Sequence, residues 1–191
     1  MLRQKSALHQ ITAAFCLLCA VSLYRRLCMK YIPADPVYPV IVYAVYMLLL
    51  SWWLTALRSR ITQRSMQLYL QAELMVMWFW LTVRLIQETC LTEDIYLLRL
   101  TGYLINVPMV LAPLFAAYAA LGLGKSEEYR ISRRWYLLLI PASCLVLAAL
   151  TNELHHFVCY TIPGEAEPNL YFHPYIGSYL IYVWMVLLSF V

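Results

Sequence analysis

An all-α, polytopic membrane bundle of about six transmembrane helices is the architecture expected from this chain, on three grounds. Of 191 residues, 63% are hydrophobic and 13% charged, a balance that would leave a water-soluble domain of this size with large exposed apolar patches. The apolar residues gather in runs close to the roughly 20 residues that a helix needs to cross a hydrocarbon core of roughly 30 Å. The 16 Tyr and 6 Trp suit the headgroup level of both interfaces, where amphipathic rings collect. A single membrane-embedded domain over residues 1–191 is expected.

The first run, about Ile11 to Tyr24, follows MLRQKSALHQ. It has the outline of a signal peptide, with a weak cleavage pattern at Ala20 and Ser22, but Arg25 and Arg26 follow at once and counting from Ser6 gives a length that can span. An uncleaved first helix is expected, with cleavage as the alternative. Pro33 and Pro36 of YIPADP then make a short connector. Val37 to Leu57 is an uncharged second span, with Trp52 and Trp53 as interface anchors before Arg58, Arg60 and Arg64. A third run, Met66 to Val83, is interrupted by Glu73 and closed by Arg84. The fourth, about Thr101 to Leu123, contains Asn106, Pro108 and Pro113, so a kink is expected where proline frees backbone carbonyls. Gly122 and Gly124 punctuate its exit into KSEEYRISRR. The fifth, Trp135 to Thr151, has 17 residues and rises about 26 Å as a helix. A 22-residue connector, Asn152 to His173, leads to a sixth run from Pro174 to Val191.

Lys and Arg in alternate connectors set the expected orientation. One side holds Arg3, Lys5, Arg58, Arg60, Arg64, Lys125, Arg130, Arg133 and Arg134, which is nine; the other holds Arg25, Arg26, Lys30, Arg84 and Arg99, which is five. The connector after the fifth run has no Lys or Arg but carries Glu153, Glu165 and Glu167. The amino terminus is therefore expected in the cytoplasm and TNELHH outside. A net charge of +4, scattered in this way, does not point to nucleic acid.

The fifth run ends in LTNELHHFVCY, and together with the preceding NVPMVLAPLFAAYAALGLGKSEEYRISRRWYLLLIPASCLVLAA it resembles the seven-helix membrane sensor domain at the start of some bacterial histidine kinases. In that family a Leu-rich helix with a Pro near its beginning ends in Thr-Asn-x-x-His-(His or Gln), followed by an aromatic connector and another helix. Pro141, Thr151, Asn152, His155 and His156 occupy those places, and the resemblance covers roughly residues 65–190. It implies a two-component sensory input module of the bacterial plasma membrane that passes a helix rearrangement to a cytoplasmic output domain or partner, with a homodimer open. The chain departs from the family by stopping at Val191, before the last span or spans, and by lacking any kinase or nucleotide-binding region. A sensor domain without catalysis of its own is the expectation, as a fragment, a truncated gene product or a stand-alone receptor module, with truncation favoured by the abrupt end in VWMVLLSFV.

Ionisable groups inside a span are normally paired or face a cavity, which singles out Glu73. It reads either as a polar switch residue that needs a partner from another helix or as a carboxyl reached by water near the cytoplasmic interface. Arg84 and Arg99, at the outer ends of adjacent helices, reach the level of Asn152, His155 and His156. Together they suggest a mouth for an anionic or polar small ligand of unknown identity; alternatively the arginines snorkel to headgroups or pair with Glu88 and Asp94. Adjacent His155 and His156 point about 100° apart on a helix and suit one metal poorly, even with His173 added. No metal and no cofactor are expected. Asn152 is expected to bond freed carbonyls at the helix end, and the imidazoles to bridge neighbouring helices. Protonation of either His, at an ordinary pKa of about 6.5, would make the outer face pH-sensitive. The connector YTIPGEAEPNLYFHPYIG reads as an aromatic lid or as a flexible spacer.

Cys16, Cys19 and Cys144 fall in apolar runs and read as small buried hydrophobes, whereas any two of Cys28, Cys90 and Cys159 are open to pairing in an oxidising compartment. A small transporter or channel is the alternative function. It would require a polar stripe along several spans, where the second, fourth and sixth runs offer only Ser51, Asn106, Ser178 and some Tyr. An intramembrane metalloenzyme ranks behind both.

Overall fold

The computed structural model describes residues 37–61, 63–89, 95–126, 129–160 and 173–191. The run from Ile11 to Tyr24, Cys16, Cys19, Cys28 and Cys90 lie outside the described residues, as does most of the long connector. The described chain is helical apart from one short β bridge. It passes up and down as α1 (Val37–Arg60), α2 (Arg64–Thr89), α3 (Ile95–Leu104), α4 (Asn106–Gly122), α5 (Leu139–Leu150) and α6 (Ile176–Leu188).

Helices α1 and α2 form an antiparallel hairpin. Gln67 donates to the Ile61 carbonyl at the tight end, and the Tyr43 hydroxyl donates to Glu88 at 2.9 Å at the open end. Helix α2 runs past the apolar stretch to Thr89 because Arg84, Gln87 and Glu88 are strong helix formers, so hydrophobicity stops before helicity does.

Helices α3 and α4 are one rod with a one-residue break at Ile105. Pro108 has no N–H for the Leu104 carbonyl and its ring crowds that oxygen, which breaks the rod at Ile105. The Asn106 amide then donates to the carbonyls of Gly102 and Tyr103, both at 3.3 Å. The disturbance expected from proline is an interruption at Ile105, whose φ of −63° and ψ of −27° remain in the helical region. The rod does not start where the sequence suggested: it begins at Ile95, not Thr101, since Arg99 is helical and its charge is answered by Glu153.

Before α5 the chain makes a single 3₁₀ turn, Trp135–Leu138. Pro141 cannot donate to Leu137, and the tighter pattern supplies the first bonds instead. Strand β1 (Cys159–Tyr160) pairs antiparallel with β2 (His173–Pro174), so the ends of the long connector meet. Pro174 therefore belongs to this bridge, and α6 begins at Ile176.

The core is built around α4. Val110, Leu114, Ala117 and Tyr118 are buried against Ala142 and Ala149 of α5 and Ile181, Trp184 and Leu188 of α6. The alanines let the backbones approach closely, and the Trp184 indole N–H donates to the Val110 carbonyl at 3.0 Å. Outside, the surface is apolar: Val40, Ile41 and Leu48 of α1 and Leu180, Val183 and Leu187 of α6 are exposed. Among the described residues two helices, Pro39–Ser59 and Tyr96–Gly122, are long and apolar enough to cross a membrane. They are only 11% and 33% buried, so most of their apolar surface points outward. Cys144 follows the same logic, and the sequence expectation fails there: it is exposed on α5, not buried, because the outer face of this helix is as apolar as its inner face.

Antiparallel packing sorts the charges by end. Arg58, Arg64, Lys125, Arg130, Arg133 and Arg134 lie at the end where Gln63 donates to the Ser126 carbonyl at 3.3 Å. Arg84, Glu88, Arg99 and Glu153 lie at the opposite end.

Candidate functional site

The site grows out of the last turn of α5. Thr151 closes that helix by donating from both its N–H and its hydroxyl to the Leu147 carbonyl, at 2.9 and 2.7 Å. A single helical turn, Asn152–His155, follows and ends at His156, which adopts the left-handed conformation at φ 49° and ψ 31°. Its N–H donates to the Asn152 carbonyl at 2.8 Å. Glycine is the usual residue at such a cap, since a side chain there is strained. The reversal sends Phe157, Val158 and Cys159 back as a strap beside the helix end.

Asn152 fixes that strap. It is fully buried, and its Oδ1 accepts the N–H groups of Val158 at 2.7 Å and Cys159 at 3.3 Å. Its Nδ2 donates to the Cys159 carbonyl at 2.7 Å and lies 3.4 Å from the thiol sulfur. Only a side chain with both a donor and an acceptor can do this. The strap is fastened in turn to α6. The Val158 carbonyl accepts from the Tyr175 N–H at 2.9 Å and from the Ser178 hydroxyl at 2.6 Å, and the Phe157 carbonyl accepts from the Gly177 N–H at 2.9 Å. Gly177 has no room for more: an added Cβ would lie 2.8 Å from the Phe157 ring.

Glu153 ties the same turn to α3. Its carboxylate pairs with Arg99 at 3.2 Å and accepts the Tyr103 hydroxyl at 2.8 Å. The Arg99 Nε is buried without a partner among the described residues. His155 stays within its own segment: Nδ1 accepts the Phe157 N–H at 3.0 Å, and Nε2 lies 3.1 Å from the Thr151 hydroxyl. With Nδ1 accepting, the ring proton sits on Nε2 and points at Thr151. The imidazoles were expected to bridge neighbouring helices; His155 instead braces the turn, because the left-handed step at His156 brings Phe157 back over it. His156 is exposed and contributes its backbone.

Of the residues singled out from sequence, Arg99, Asn152 and His155 meet in one network through Glu153, Tyr103 and the strap. Arg84 bonds Gln87 on its own helix at 3.3 Å. Glu73 is half-buried on α2, and no described residue bonds its carboxylate. Glu153, Tyr103, Ser178 and Cys159 were not picked out as site residues. Glu153 had a signal, as the acid within TNELHH, but its partner is 54 residues away. Cys159 is a free, buried thiol, and burial, then the Glu153 carboxylate, pushes its pKa up to about 11. Its proposed partners Cys28 and Cys90 lie outside the described residues. Among the described residues no three His, Cys, Asp or Glu gather in a group that could hold a metal.

Chemically, this end offers a half-exposed guanidinium and carboxylate beside two exposed imidazoles, above a buried amide that holds two helices together. Comparison with family models, with characterised proteins and with solved structures finds no match to this chain.

Proposed function

We propose that the chain is a multi-pass bundle of about six spans in a bacterial plasma membrane, with its amino terminus in the cytoplasm, acting as the sensory input module of a signalling receptor. The outward apolar surface of α1 and α6 supports the embedding, and the gathering of basic side chains at one end supports the orientation. In this reading the polar end faces outward and receives a small polar or anionic ligand at Arg99, His155 and His156, with Arg84 at its edge.

One observation carries the sensory reading: a single turn, Thr151 to Cys159, is bonded to both α3 and α6. A ligand that competes for Arg99 removes one of the two bonds by which Glu153 holds α3 and leaves the Tyr103 hydroxyl as the other, while Asn152 keeps the strap in place for its bonds to α6. The two tethers respond differently to the same ligand, and the packing of α3 against α6 changes. A cytoplasmic output domain or partner then reads the helix ends. Such a change needs only a differential contact of the ligand with the two arrangements.

Two experiments test this. Reporter fusions after Gly124 and after Pro163 should report cytoplasmic and external positions respectively; both on one side would overturn the topology. The chain joined to a kinase output should signal, and Arg99→Gln and Glu153→Gln should shift its basal output while remaining folded. Unchanged output in both variants would overturn the sensory role of this end.

A further inference from the structure

The end opposite the polar network carries basic side chains that bear only on orientation in the sensory reading. Arg58, Arg64, Lys125, Arg130, Arg133 and Arg134 are all exposed there. They come from the tip of the α1–α2 hairpin and from the segment joining α4 to α5, and the Gln63 to Ser126 hydrogen bond holds these two connectors together. Among the described residues none of the six has an ion-pair partner; Lys125 instead lies 5.9 Å over the Tyr129 ring. Glu127 and Glu128, the acids nearest in sequence, lie outside the described residues. Arg99, at the other end, is paired with a carboxylate.

Exposed aromatic rings accompany these cations. Trp52 and Trp53 precede Arg58 by less than two turns, and Tyr136 lies two residues after Arg134. Rings at headgroup depth beside cations just beyond them match a phospholipid interface, with apolar chains above and phosphates below. The cations are spread over two connectors, not gathered in a pocket, so they suit a charged sheet better than a single soluble anion.

We infer that this basic end is a binding surface for anionic phospholipid headgroups, which the bundle selects over zwitterionic ones. The inference rests on the membrane reading above. Its test separates the two.

The whole protein is reconstituted in phosphatidylcholine vesicles containing spin-labelled phosphatidylglycerol or spin-labelled phosphatidylcholine, and the motionally restricted fraction is measured by electron paramagnetic resonance. The expected result is a restricted component with both labels and a preference for phosphatidylglycerol of about threefold or more at low salt. The preference should collapse toward unity in 1 M salt and in Arg130→Gln/Arg133→Gln/Arg134→Gln, and survive in the triple Lys variant. Equal restriction of both lipids, or a preference that persists in the triple Gln variant, would overturn the headgroup surface while leaving the embedding intact. No restricted component with either label would overturn the embedding itself, and the surface with it.

Discussion

Asn152 and Cys159 exchange two hydrogen bonds of opposite sense: the Asn152 amide donates to the Cys159 carbonyl at 2.7 Å and accepts its N–H at 3.3 Å. The side chain thus imitates a neighbouring strand for a strap that has none on that side. Replacing it by Ala leaves the N–H of Val158 and both backbone groups of Cys159 buried and unpaired. Asn152→Ala is expected to destabilise the protein by roughly 2–4 kcal/mol. Asn152→Asp should not restore it, since a carboxylate cannot donate to the Cys159 carbonyl. Thermal unfolding in detergent checks both; an Asp variant as stable as wild type would refute the double role of the amide.

The Arg99–Glu153 pair calls for a smaller expectation, because its side chains are 35% and 43% exposed. Solvent screening limits such a pair to below about 1 kcal/mol. Glu153→Gln should therefore cost little stability, keep a hydrogen bond from Tyr103, and lose most of its effect in 1 M salt. A double-mutant cycle with Arg99→Gln that gave a coupling well above about 1 kcal/mol would show the pair to be more tightly desolvated than its exposure indicates.

His156 is predicted to matter through φ, not through its imidazole. At φ 49° it occupies the region that costs an ordinary L-residue roughly 1–2 kcal/mol. His156→Gly should preserve or raise stability by up to about 1 kcal/mol, whereas His156→Val should lower it. If Gly and Val behaved alike in unfolding experiments, the left-handed step would not be the residue's structural contribution.

The second span was legible from the sequence because Val37 to Leu57 has both the length and the lack of charge that a crossing requires, whereas the run after Trp135 forms a shorter apolar helix than the crossing expected of it. The failures have a common physical source. Arg99 reads as a boundary, since a lone charge inside an apolar stretch is costly, and the carboxylate that offsets it lies 54 residues away. Cys144 reads as buried because hydrophobicity marks the core only where the surroundings are water; on α5 the outward face is apolar as well. Asn152 was visible as a polar residue at a helix end, yet its target was not. Reaching Val158 needs a left-handed turn at a histidine, and composition signals such a turn only at glycine or asparagine.

The Cys159 thiol links stability to pH. Its pKa rises from 9.0 to about 11 through burial first and the nearby Glu153 carboxylate second. The folded state therefore favours the neutral thiol. Its contribution is complete below the unfolded value, near pH 9, and is lost as pH climbs through about 11. Wild-type protein should lose stability across that window more steeply than Cys159→Ala. Equal slopes would show that the thiol stays neutral in both states or is not buried. In a variant whose only cysteine is Cys159, maleimide labelling at pH 7.5 should be slow until denaturant is added.

Gly177 tests whether strap and helix are one unit. An added Cβ would lie 2.8 Å from Cδ1 of the Phe157 ring and 2.9 Å from the Phe157 carbonyl oxygen, and the second of these atoms belongs to the backbone. The ring can rotate away, but the carbonyl cannot move without stretching the bond it accepts from the Gly177 N–H at 2.9 Å. Gly177→Ala should cost roughly 1–3 kcal/mol, and Phe157→Ala in the same chain should rescue only part of it. Full rescue would mean that ring packing alone sets the distance. No loss at all would mean that the strap floats over α6, and that a ligand at Arg99 and His155 has no route through it to that helix.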